Sequence, residues 1–424
     1  MFKKKLLVLV GAGASTDFGM PSVKALNDLL TQGTQARFPL ANDATRNLYG
    51  WLVDAVTAYW GTVAKPPLRK TPNFEDIMHV VFLLSAAYPN GIFTSPLGAL
   101  VETKSFPDIW FGKKLRSVDT DVWLELGSFL SDTIIDAFRE GCRQLDAPAN
   151  KAKLDEVRAF FHALSKRFHL GIVTLNYDDI IRRSTSGLTT GFGKDGVFRD
   201  ELLFGRRRWP CILHLHGSVH FDMRTTDGDL HSIQWQENLS ATFNQNSAGR
   251  SSIHTSEGAM FPQSAIVAGY GKTSQILRRP FRSYYSELDQ LVSQSDALLC
   301  LGYGFGDIHL NMAIGAYRDR RRPVVLVDYA ADNAMCASAA DWDDPPRPIM
   351  SAMDVLQTDP RTMRALGHSA PSDVAELKKL RAFGLSNNRE TPLAIWYNGM
   401  REACQNPNKV LMQLWKPWWA FWRR

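Results

Sequence analysis

Two polar segments of this sequence carry the side chains best suited to acid–base chemistry. Asn176 and Asp178 come just after an apolar run at residues 171–173, and His216 follows another at 211–213. An imidazole titrates near neutral pH and can accept a proton, while an amide and a carboxylate can hold a sugar hydroxyl or a water molecule. The same residues also have a structural interpretation, because Asn and Asp commonly cap helices and a lone histidine often serves packing.

A glycine-rich turn near the N-terminus is typical of a phosphate-binding site. An apolar run at residues 6–10 ends in Gly11-Ala12-Gly13-Ala14-Ser15. Small residues there let the backbone turn sharply and approach a pyrophosphate, and a helix beginning near Pro21 or Ser22 would direct its N-terminus at that charge. An ordinary tight turn between a strand and a helix is the alternative interpretation.

Two common classes of nucleotide-binding protein do not fit this turn. A nicotinamide dehydrogenase would place a third glycine at the sixth position and an acidic residue on a second strand about 20 residues later. Here the sixth position is Thr16, and residues 23–30 have a helical pattern. A P-loop is also excluded, because no Gly-Lys-Ser/Thr sequence closes the turn.

Two further segments add candidate ligand contacts at strand ends. The loop Gly302-Tyr303-Gly304-Phe305-Gly306-Asp307 follows an apolar run at 297–301, and its alternating glycines allow backbone amides to face a ligand. Asp307 is also placed to cap the next helix. Asp328 follows a run at 324–327, where its carboxylate could accept a hydrogen bond from a ribose hydroxyl. His214 lies in phase with His216 but deeper in its strand, so it is the weaker candidate base.

The pattern of apolar runs predicts an α/β fold. Continuous β-branched runs suit strands that are buried on both faces of a parallel sheet, and they alternate here with helical patterns. The predicted strands are 6–10, 171–174, 211–215, 265–268, 297–301 and 324–327, and the predicted helices include 22–30, 74–86, 123–137 and 153–168. We therefore expect a Rossmann-like, doubly wound parallel sheet with a helical insertion. In such a sheet the polar strand ends converge on one crevice.

The same pattern of apolar runs predicts that the chain has two parts. We expect a catalytic domain over residues 1–330, which contains the helical insertion at about 31–165. Residues 331–424 are expected to form a C-terminal extension that contacts another copy of the chain or a partner. After Asp328 no further apolar β run is expected, and residues 341–348 are predicted to form a polar linker interrupted by prolines.

Composition narrows the class of protein further. The net charge of +6 comes from 49 basic and 43 acidic residues that are intermixed, so charge alone does not predict a nucleic-acid binder. The five cysteines are scattered without a C-x-x-C pair, which favours a reducing cytoplasm and no structural zinc. The apolar run after Lys3-Lys4-Lys5 is too short for a signal peptide, and no stretch approaches a transmembrane segment. We expect a cytoplasmic protein.

At these motifs the chain resembles the sirtuin-like family, particularly its bacterial antiphage branch. The motifs that carry the resemblance are Gly11-Ala12-Gly13-Ala14-Ser15 with Pro21, Thr174-Leu175-Asn176-Tyr177-Asp178, Leu215-His216-Gly217-Ser218 and Gly302-Tyr303-Gly304-Phe305-Gly306-Asp307. The resemblance implies a fold that holds NAD⁺, with Ala12 and Ser15 near the phosphates and Gly302 and Tyr303 near ribose or phosphate. It also implies that Asn176 and Asp178 lie beside the nicotinamide ribose, that His216 is the catalytic base, and that Asp328 lies near the adenosine. Gly11, Gly13, Thr174 and Asp307 complete the expected cofactor contacts.

Two departures from protein-deacylating sirtuins shape the expected function. This chain lacks paired cysteines for their zinc ribbon, and it has Met20-Pro21-Ser22-Val23 where they carry a Phe-Arg pair. The resemblance therefore implies an NAD⁺ hydrolase that cleaves the nicotinamide–ribose bond, with NAD⁺ as substrate and no metal, and acts as the effector of an antiphage system. A non-catalytic module that binds NAD⁺ or ADP-ribose is the alternative. A homo-oligomer and an ATPase or other defence partner are expected by the same resemblance.

Three segments give weaker signals. The basic clusters at 206–208 and 318–322 could contact nucleic acid or an acidic partner, but the favoured interpretation is solvated surface or a subunit contact. The C-terminal segment 411–424 combines four tryptophans with three cations. Docking on a partner or a neighbouring subunit is the favoured interpretation, with internal packing and membrane contact as alternatives.

Overall fold

The computed structural model describes most of the chain as a layered α/β structure. The described residues are 3–63, 71–87, 106–205, 209–226, 229–243, 253–254, 260–261, 264–269, 272–315, 322–330, 377–385 and 393–415. The basic clusters lie outside these residues except for Arg322, and so does the C-terminal segment beyond Trp415.

The described strands build a central seven-stranded sheet. Its order is β12-β13-β11-β10-β1-β4-β5, and all neighbouring strands are parallel except the antiparallel pair β12 and β13. The strands are β1 (Lys4–Val10), β4 (Phe168–Thr174), β5 (Cys211–His214), β10 (Ala297–Leu301), β11 (Val324–Val327), β12 (Gly384–Leu385) and β13 (Leu393–Trp396). The α/β Rossmann-like fold expected from the sequence is therefore confirmed.

The chain reverses its direction of travel across the sheet at β1. From β1 it adds β4 and then β5 on one side, and it returns to add β10, β11 and β13 on the other side. Ligand crevices of open α/β sheets lie at such a reversal, beyond the carboxyl ends of the strands. The polar strand ends named above, from β11 to β5, are therefore brought to one edge of the sheet.

The apolar strands are buried because both faces of the sheet are covered. Leu6 and Val8 of β1 pack into the core on one face, and Leu7 and Leu9 pack into the core on the other. A strand with two buried faces needs no polar alternation, which explains the continuous apolar runs of the sequence. The periodicity therefore identified these strands correctly.

The expected helical insertion between β1 and β4 is present. It contains α1 (Val23–Arg37), α2 (Leu48–Trp60), α3 (Phe74–Ala87), a hairpin of β2 (Asp108–Phe111) and β3 (Lys114–Ser117), α4 (Thr120–Arg143) and α5 (Pro148–Arg167). Side chains cap these helices where the sequence predicts a start: Ser22 accepts from the amide of Ala25, and Asn73 accepts from the amides of Glu75 and Asp76. Apolar residues of all five helices join the core on the face of Leu6.

The other face of the sheet is covered by elements from the second half of the chain. These include α8 (Lys272–Ile276), α9 (Phe281–Gln294) and α10 (Ile308–Ile314), beside a hairpin of β6 (Phe221–Thr226) and β7 (Asp229–Trp235). The remaining described elements before β10 are α6 (Ile180–Ser184), α7 (Glu201–Phe204) and the short pair β8 (Ile253–His254) and β9 (Met260–Phe261).

Two secondary-structure expectations are wrong. Residues 265–268 do not form a strand of the sheet: Ile266 makes an isolated bridge with Gly217, and Val267 donates to the carbonyl of His216. The apolar β runs also continue after Asp328, because Leu393–Trp396 pairs with β11 as β13. A run of four residues between long polar stretches gives little periodicity to detect.

The described end of the chain packs on the sheet. Helices α11 (Gly399–Gln405) and α12 (Pro407–Trp415) bury Met400, Val410 and Leu414 in the core, and the Trp415 ring lies 5.6 Å from that of Phe168. Trp415 thus packs internally, while the expected contacts of residues 331–424 with other chains stay a prediction. Among the described helices, none has the length and apolar character needed to cross a membrane.

Candidate functional site

The glycine turn after β1 packs directly against the loop after β10. The amides of Gly11 and Gly13 donate to the carbonyls of Leu301 and Gly302, both at 3.0 Å. A Cβ atom at Gly302 would lie 2.2 Å from the amide nitrogen of Ala14, and Gly302 has a φ of +57°. These glycines are therefore needed for the close approach of two backbones, whatever ligand they also contact.

Most backbone amides of this turn already donate hydrogen bonds within the protein. The amides of Ala14 and Ser15 donate to the carbonyls of Gly11 and Ala12 within a short 3₁₀ turn, and α1 begins only at Val23. Ala12 and Gly13 are exposed at the surface of the turn. The phosphate role of the turn stays a prediction, and it rests on this exposed portion rather than on the N-terminus of α1.

Asn176, Ser15 and Asp178 form one hydrogen-bonded cluster where β1 and β4 end. The Asn176 Nδ2 donates to the Gly11 carbonyl at 2.9 Å and to Ser15 Oγ at 2.8 Å, and Ser15 Oγ donates to Asp178 Oδ2 at 2.6 Å. Both amide protons of Asn176 are therefore used, so its Oδ1 is left to accept from a ligand. No described residue donates a hydrogen bond to the Asn176 Oδ1.

Asp178 is a fully enclosed carboxyl. It is 3% exposed, and burial raises its pKa to about 6, although hydrogen bonds from Ser15 and the Ile180 amide oppose the shift. Its Oδ1 thus supports the turn into α6 by accepting from the Ile180 amide, while its Oδ2 orients Ser15. Asp178 consequently acts on Asn176 through Ser15.

His216, Asp307 and Lys272 form a second cluster, where β5 and β10 end. The His216 Nε2 lies 2.8 Å from Asp307 Oδ2, and the Lys272 Nζ lies 2.7 Å from the same oxygen and 3.1 Å from Nε2. All three residues are at most 7% exposed. A carboxylate, an ammonium and an imidazole are thus enclosed together.

The electrostatics of this cluster favour a neutral imidazole beside an ionised carboxylate. Burial and the Lys272 charge lower the pKa of His216, and the hydrogen bond that His216 donates to Asp307 opposes them. Burial would raise the pKa of Asp307, but its contacts with His216 and Lys272 hold that pKa well below its usual range. A neutral histidine at pH 7 can act as a general base.

The loop after β10 positions Asp307. Its Oδ1 accepts from the Leu310 amide at 2.9 Å and so caps α10, as the sequence predicts. The Tyr303 hydroxyl donates to Asn311 Oδ1 at 2.6 Å, and the backbone of Phe305 has a φ of +56°. A left-handed conformation at a phenylalanine is strained, and such strain often occurs at functional sites.

Thr174, Asp328 and His214 are the other strand-end residues considered from the sequence. Thr174 Oγ1 accepts from the Asn176 amide at 3.1 Å and so shapes the turn. Asp328 Oδ1 accepts from the Tyr329 amide, and burial raises the pKa of Asp328. His214 is 1% exposed among aromatic rings, and burial lowers its pKa to about 3, so it is a neutral core residue.

Lys272 is the residue that sequence reasoning missed. It follows Gly269-Tyr270-Gly271, just after the apolar run at 265–268. That run looked like a strand, and a glycine-flanked lysine beyond a strand end is a usable signal for an anion-binding contact. Glu75 at the start of α3 was also missed as a neighbour; its charge acts on both His216 and Tyr177.

Metal-ligand groups and accessible thiols are features of other activities that the described residues do not provide. Among these, no three His, Cys, Asp or Glu side chains are grouped to hold a metal ion. Cys142, Cys211, Cys300 and Cys404 are free and buried, and Cys336 lies outside the described residues. A cavity of about 700 Å³ beside the edge strand β5 is lined by Arg182, Asp222 and Trp235 among others, and by none of the residues predicted for the site.

The fold defines an α/β protein of the Rossmann-like type, and a family comparison is more specific. The family described as "SIR2-like domain" matches residues 170–341. The resemblance to sirtuin-like proteins that the motifs indicate is therefore confirmed over these residues. The matched region contains Asn176, Asp178, His216 and Asp307, and it also contains Lys272.

Solved structures of Sir2 proteins are similar to this chain at low identity. A Sir2 homologue mutant bound to ADP-ribose covers 84% of this chain and 91% of its own, with 11% identity and a TM-score of 0.31. A Sir2 homologue–NAD complex covers 84% and 89%, with 10% identity and a TM-score of 0.30. At these scores no residue of this chain is equated with a residue of those proteins. No curated protein matches the chain in sequence.

Proposed function

We propose that this protein binds NAD⁺ and hydrolyses the bond between nicotinamide and ribose. The observation that carries the proposal is the pairing of two clusters at one sheet edge: an asparagine with a free acceptor oxygen, and a buried histidine held beside an ionised aspartate. The sirtuin-like motifs and the match to the SIR2-like family over residues 170–341 support the choice of substrate.

The proposed chemistry is glycoside cleavage. Nicotinamide leaves the pyridinium form of NAD⁺ as a neutral molecule, and the ribose carbon becomes oxocarbenium-like, as in glycosidases generally. Water then attacks this carbon and must lose a proton. The protein needs to orient the ribose and the water and to accept that proton.

Each cluster has one part in this scheme. The Asn176 Oδ1 accepts a hydrogen bond from a ribose hydroxyl or from the attacking water, because its amide group is fixed by Gly11 and Ser15. His216 accepts the proton as a neutral base. Asp178 holds Ser15, and Asp307 holds His216, so the two carboxyl groups position the groups that react.

Product analysis tests the proposal. Purified protein incubated with NAD⁺ should release nicotinamide and ADP-ribose in equal amounts, measured by chromatography. His216→Ala should slow release by about 100-fold or more, since general-base catalysis typically contributes that much. His169→Ala is the matched control because His169 is exposed on β4, and it should keep the wild-type rate.

Binding without release would overturn the hydrolase proposal. If calorimetry shows that NAD⁺ binds but no nicotinamide appears, even after the protein is supplied with its partner from infected cells, the alternative is favoured. That alternative is a non-catalytic module that binds NAD⁺ or ADP-ribose and regulates another protein. Release of nicotinamide that survives in His216→Ala would instead overturn the role of His216.

We further propose that the activity depletes NAD⁺ during phage infection, as the effector of a bacterial defence system. This role rests on the resemblance of the motifs to the antiphage branch, and so does the expected restraint by self-assembly or by an ATPase partner. Cellular NAD⁺ should fall after infection in bacteria that express the wild-type chain, and it should persist with His216→Ala. Equal NAD⁺ levels in the two strains would contradict the role.

A further inference from the structure

Lys272 makes a contact that a simple histidine–aspartate pair does not need. Its ammonium lies 2.7 Å from Asp307 Oδ2, the oxygen that also lies 2.8 Å from His216 Nε2. Lys272 is 6% exposed and reaches this oxygen from α8, the first helix after residues 264–269. A buried ammonium is costly unless it performs a task or is paired, and here it is paired with the carboxylate that holds the proposed base.

The position of the imidazole proton follows from these distances. A carboxylate oxygen only accepts hydrogen bonds, so Nε2 at 2.8 Å from Asp307 must carry a proton. Lys272 and His216 then donate to the same oxygen, and their separation of 3.1 Å is the distance between two donors that share one acceptor. In a neutral imidazole the remaining nitrogen, Nδ1, is left as the base.

The charges decide whether that imidazole stays neutral. An ionised aspartate alone stabilises the imidazolium form, which has no lone pair and cannot accept a proton. The ammonium of Lys272 compensates the charge of Asp307 and repels a second positive charge on His216. Glu75 from α3 faces His216 with the opposite effect, and Tyr285 of α9 and Tyr303 also lie near Asp307.

We infer that Lys272 is a positioning residue that keeps His216 neutral, with its Nε2 proton held toward Asp307 and its Nδ1 free to act as the base. The consequence for catalysis rests on the proposed NAD⁺ hydrolysis. The protonation state of His216 is independent of that proposal, so it can be measured even if the protein turns over no substrate.

The test compares wild type with Lys272→Met, Lys272→Arg and the control Lys166→Met, in which an exposed lysine of α5 loses the same charge. Protein with ¹³C-labelled histidine is titrated by NMR, and His216→Ala identifies the His216 signal. We expect Lys272→Met to raise the titration midpoint of His216 by about one pH unit or more, as charge neighbours commonly do. Lys272→Arg and Lys166→Met should leave it near the wild-type value.

The rate of nicotinamide release gives the second readout. Activity requires neutral His216, so the rate rises with pH as His216 loses its proton. A raised titration midpoint shifts this rise in rate to higher pH. We therefore expect Lys272→Met to lose a larger fraction of the wild-type rate at pH 6 than at pH 8. If the variant is slowed equally at both values and the His216 titration is unmoved, Lys272 has only a structural role and the inference is overturned.

Two further results keep the test decisive. If Lys272→Met does not fold, as judged by circular dichroism, Lys272→Gln replaces it, because the amide still donates to Asp307 without a charge; it should raise the His216 midpoint as well. If wild type releases no nicotinamide but the midpoint of His216 still rises in the variant, the inference about Lys272 stands while the proposed function fails.

Discussion

Asp178 and Asp307 are buried carboxyl groups at the same edge of one sheet, yet their pKa values move in opposite directions. Asp178 is 3% exposed and Asp307 is 7% exposed, so the two are similarly enclosed. Burial raises the pKa of Asp178 to about 6, whereas the pKa of Asp307 is held far below its usual range. Depth in the protein therefore does not decide which carboxyl is ionised.

The difference lies in the charge of the partners. Asp178 accepts from a serine hydroxyl and a backbone amide, which are neutral, and the neighbouring Asp179 repels its negative charge. Asp307 lies against an ammonium and an imidazole. The site thus has a cluster of mostly neutral hydrogen bonds on the β1–β4 side and a charged cluster on the β5–β10 side, joined by the backbone contact between Gly13 and Gly302.

The largest expected effect comes from removing the charge that the second cluster depends on. Asp307→Asn keeps a side chain that can cap α10 but leaves the buried Lys272 ammonium without its counter-charge. We expect a loss of about 3–5 kcal/mol in the free energy of unfolding, measured with urea. Asp289→Asn, an exposed change on α9, should lose almost nothing.

A double variant sharpens this prediction. If the cost arises from the unpaired ammonium, Lys272→Met combined with Asp307→Asn should be more stable than Asp307→Asn alone. Equal stability of the single and double variants would show that Asp307 supports the fold mainly as a cap.

The next largest effect is expected where the two clusters meet. Gly302→Ala places a methyl group 2.2 Å from the Ala14 nitrogen at a positive φ, so we expect a loss of about 2–4 kcal/mol in unfolding free energy. Gly304→Ala is the matched control in the same loop, because a Cβ there has nothing within 4 Å. Similar melting temperatures for the two variants would contradict the close packing of the turns.

The smallest effect concerns the first cluster and depends on pH. A carboxyl whose pKa is raised on folding contributes stability at low pH that is lost as the pH rises through the folded value. Wild type should therefore lose roughly 2–3 kcal/mol of stability from Asp178 between pH 4 and pH 7.5, and Asp178→Asn should not. Urea unfolding at both pH values measures this difference. Parallel changes in the two proteins would mean that Asp178 is ionised as readily as an exposed aspartate.

The sequence predicted the first cluster better than the second. Asn176 and Asp178 closely follow a strand that its continuous apolar run identifies, and a parallel sheet brings that end to the same edge as the Gly11 turn. The bonds that join Ser15 to Asn176 and Asp178 could not be predicted, since they depend on the 3₁₀ turn that replaces an immediate helix after β1.

Lys272 could not be placed because it comes from a segment that only resembles a strand. Residues 265–268 are apolar enough for the sheet, but they pair beside Gly217 and His216 as an isolated bridge and carry α8 back over the site. The glycines follow strands that the sequence predicted. The structure gives a physical reason for Gly11 and Gly302 that the sequence did not, which is close contact between two backbones.

The most direct test of the account is the rate of nicotinamide release from NAD⁺ by Asn176→Ala, His216→Ala and the double variant. Because one residue of each cluster is proposed to serve a single reaction, each single variant should be slowed by about 100-fold or more. The double variant should be little slower than the slower single one, as is common for residues that act as a unit. A wild-type rate in either single variant would contradict the claim that the two clusters form one catalytic site.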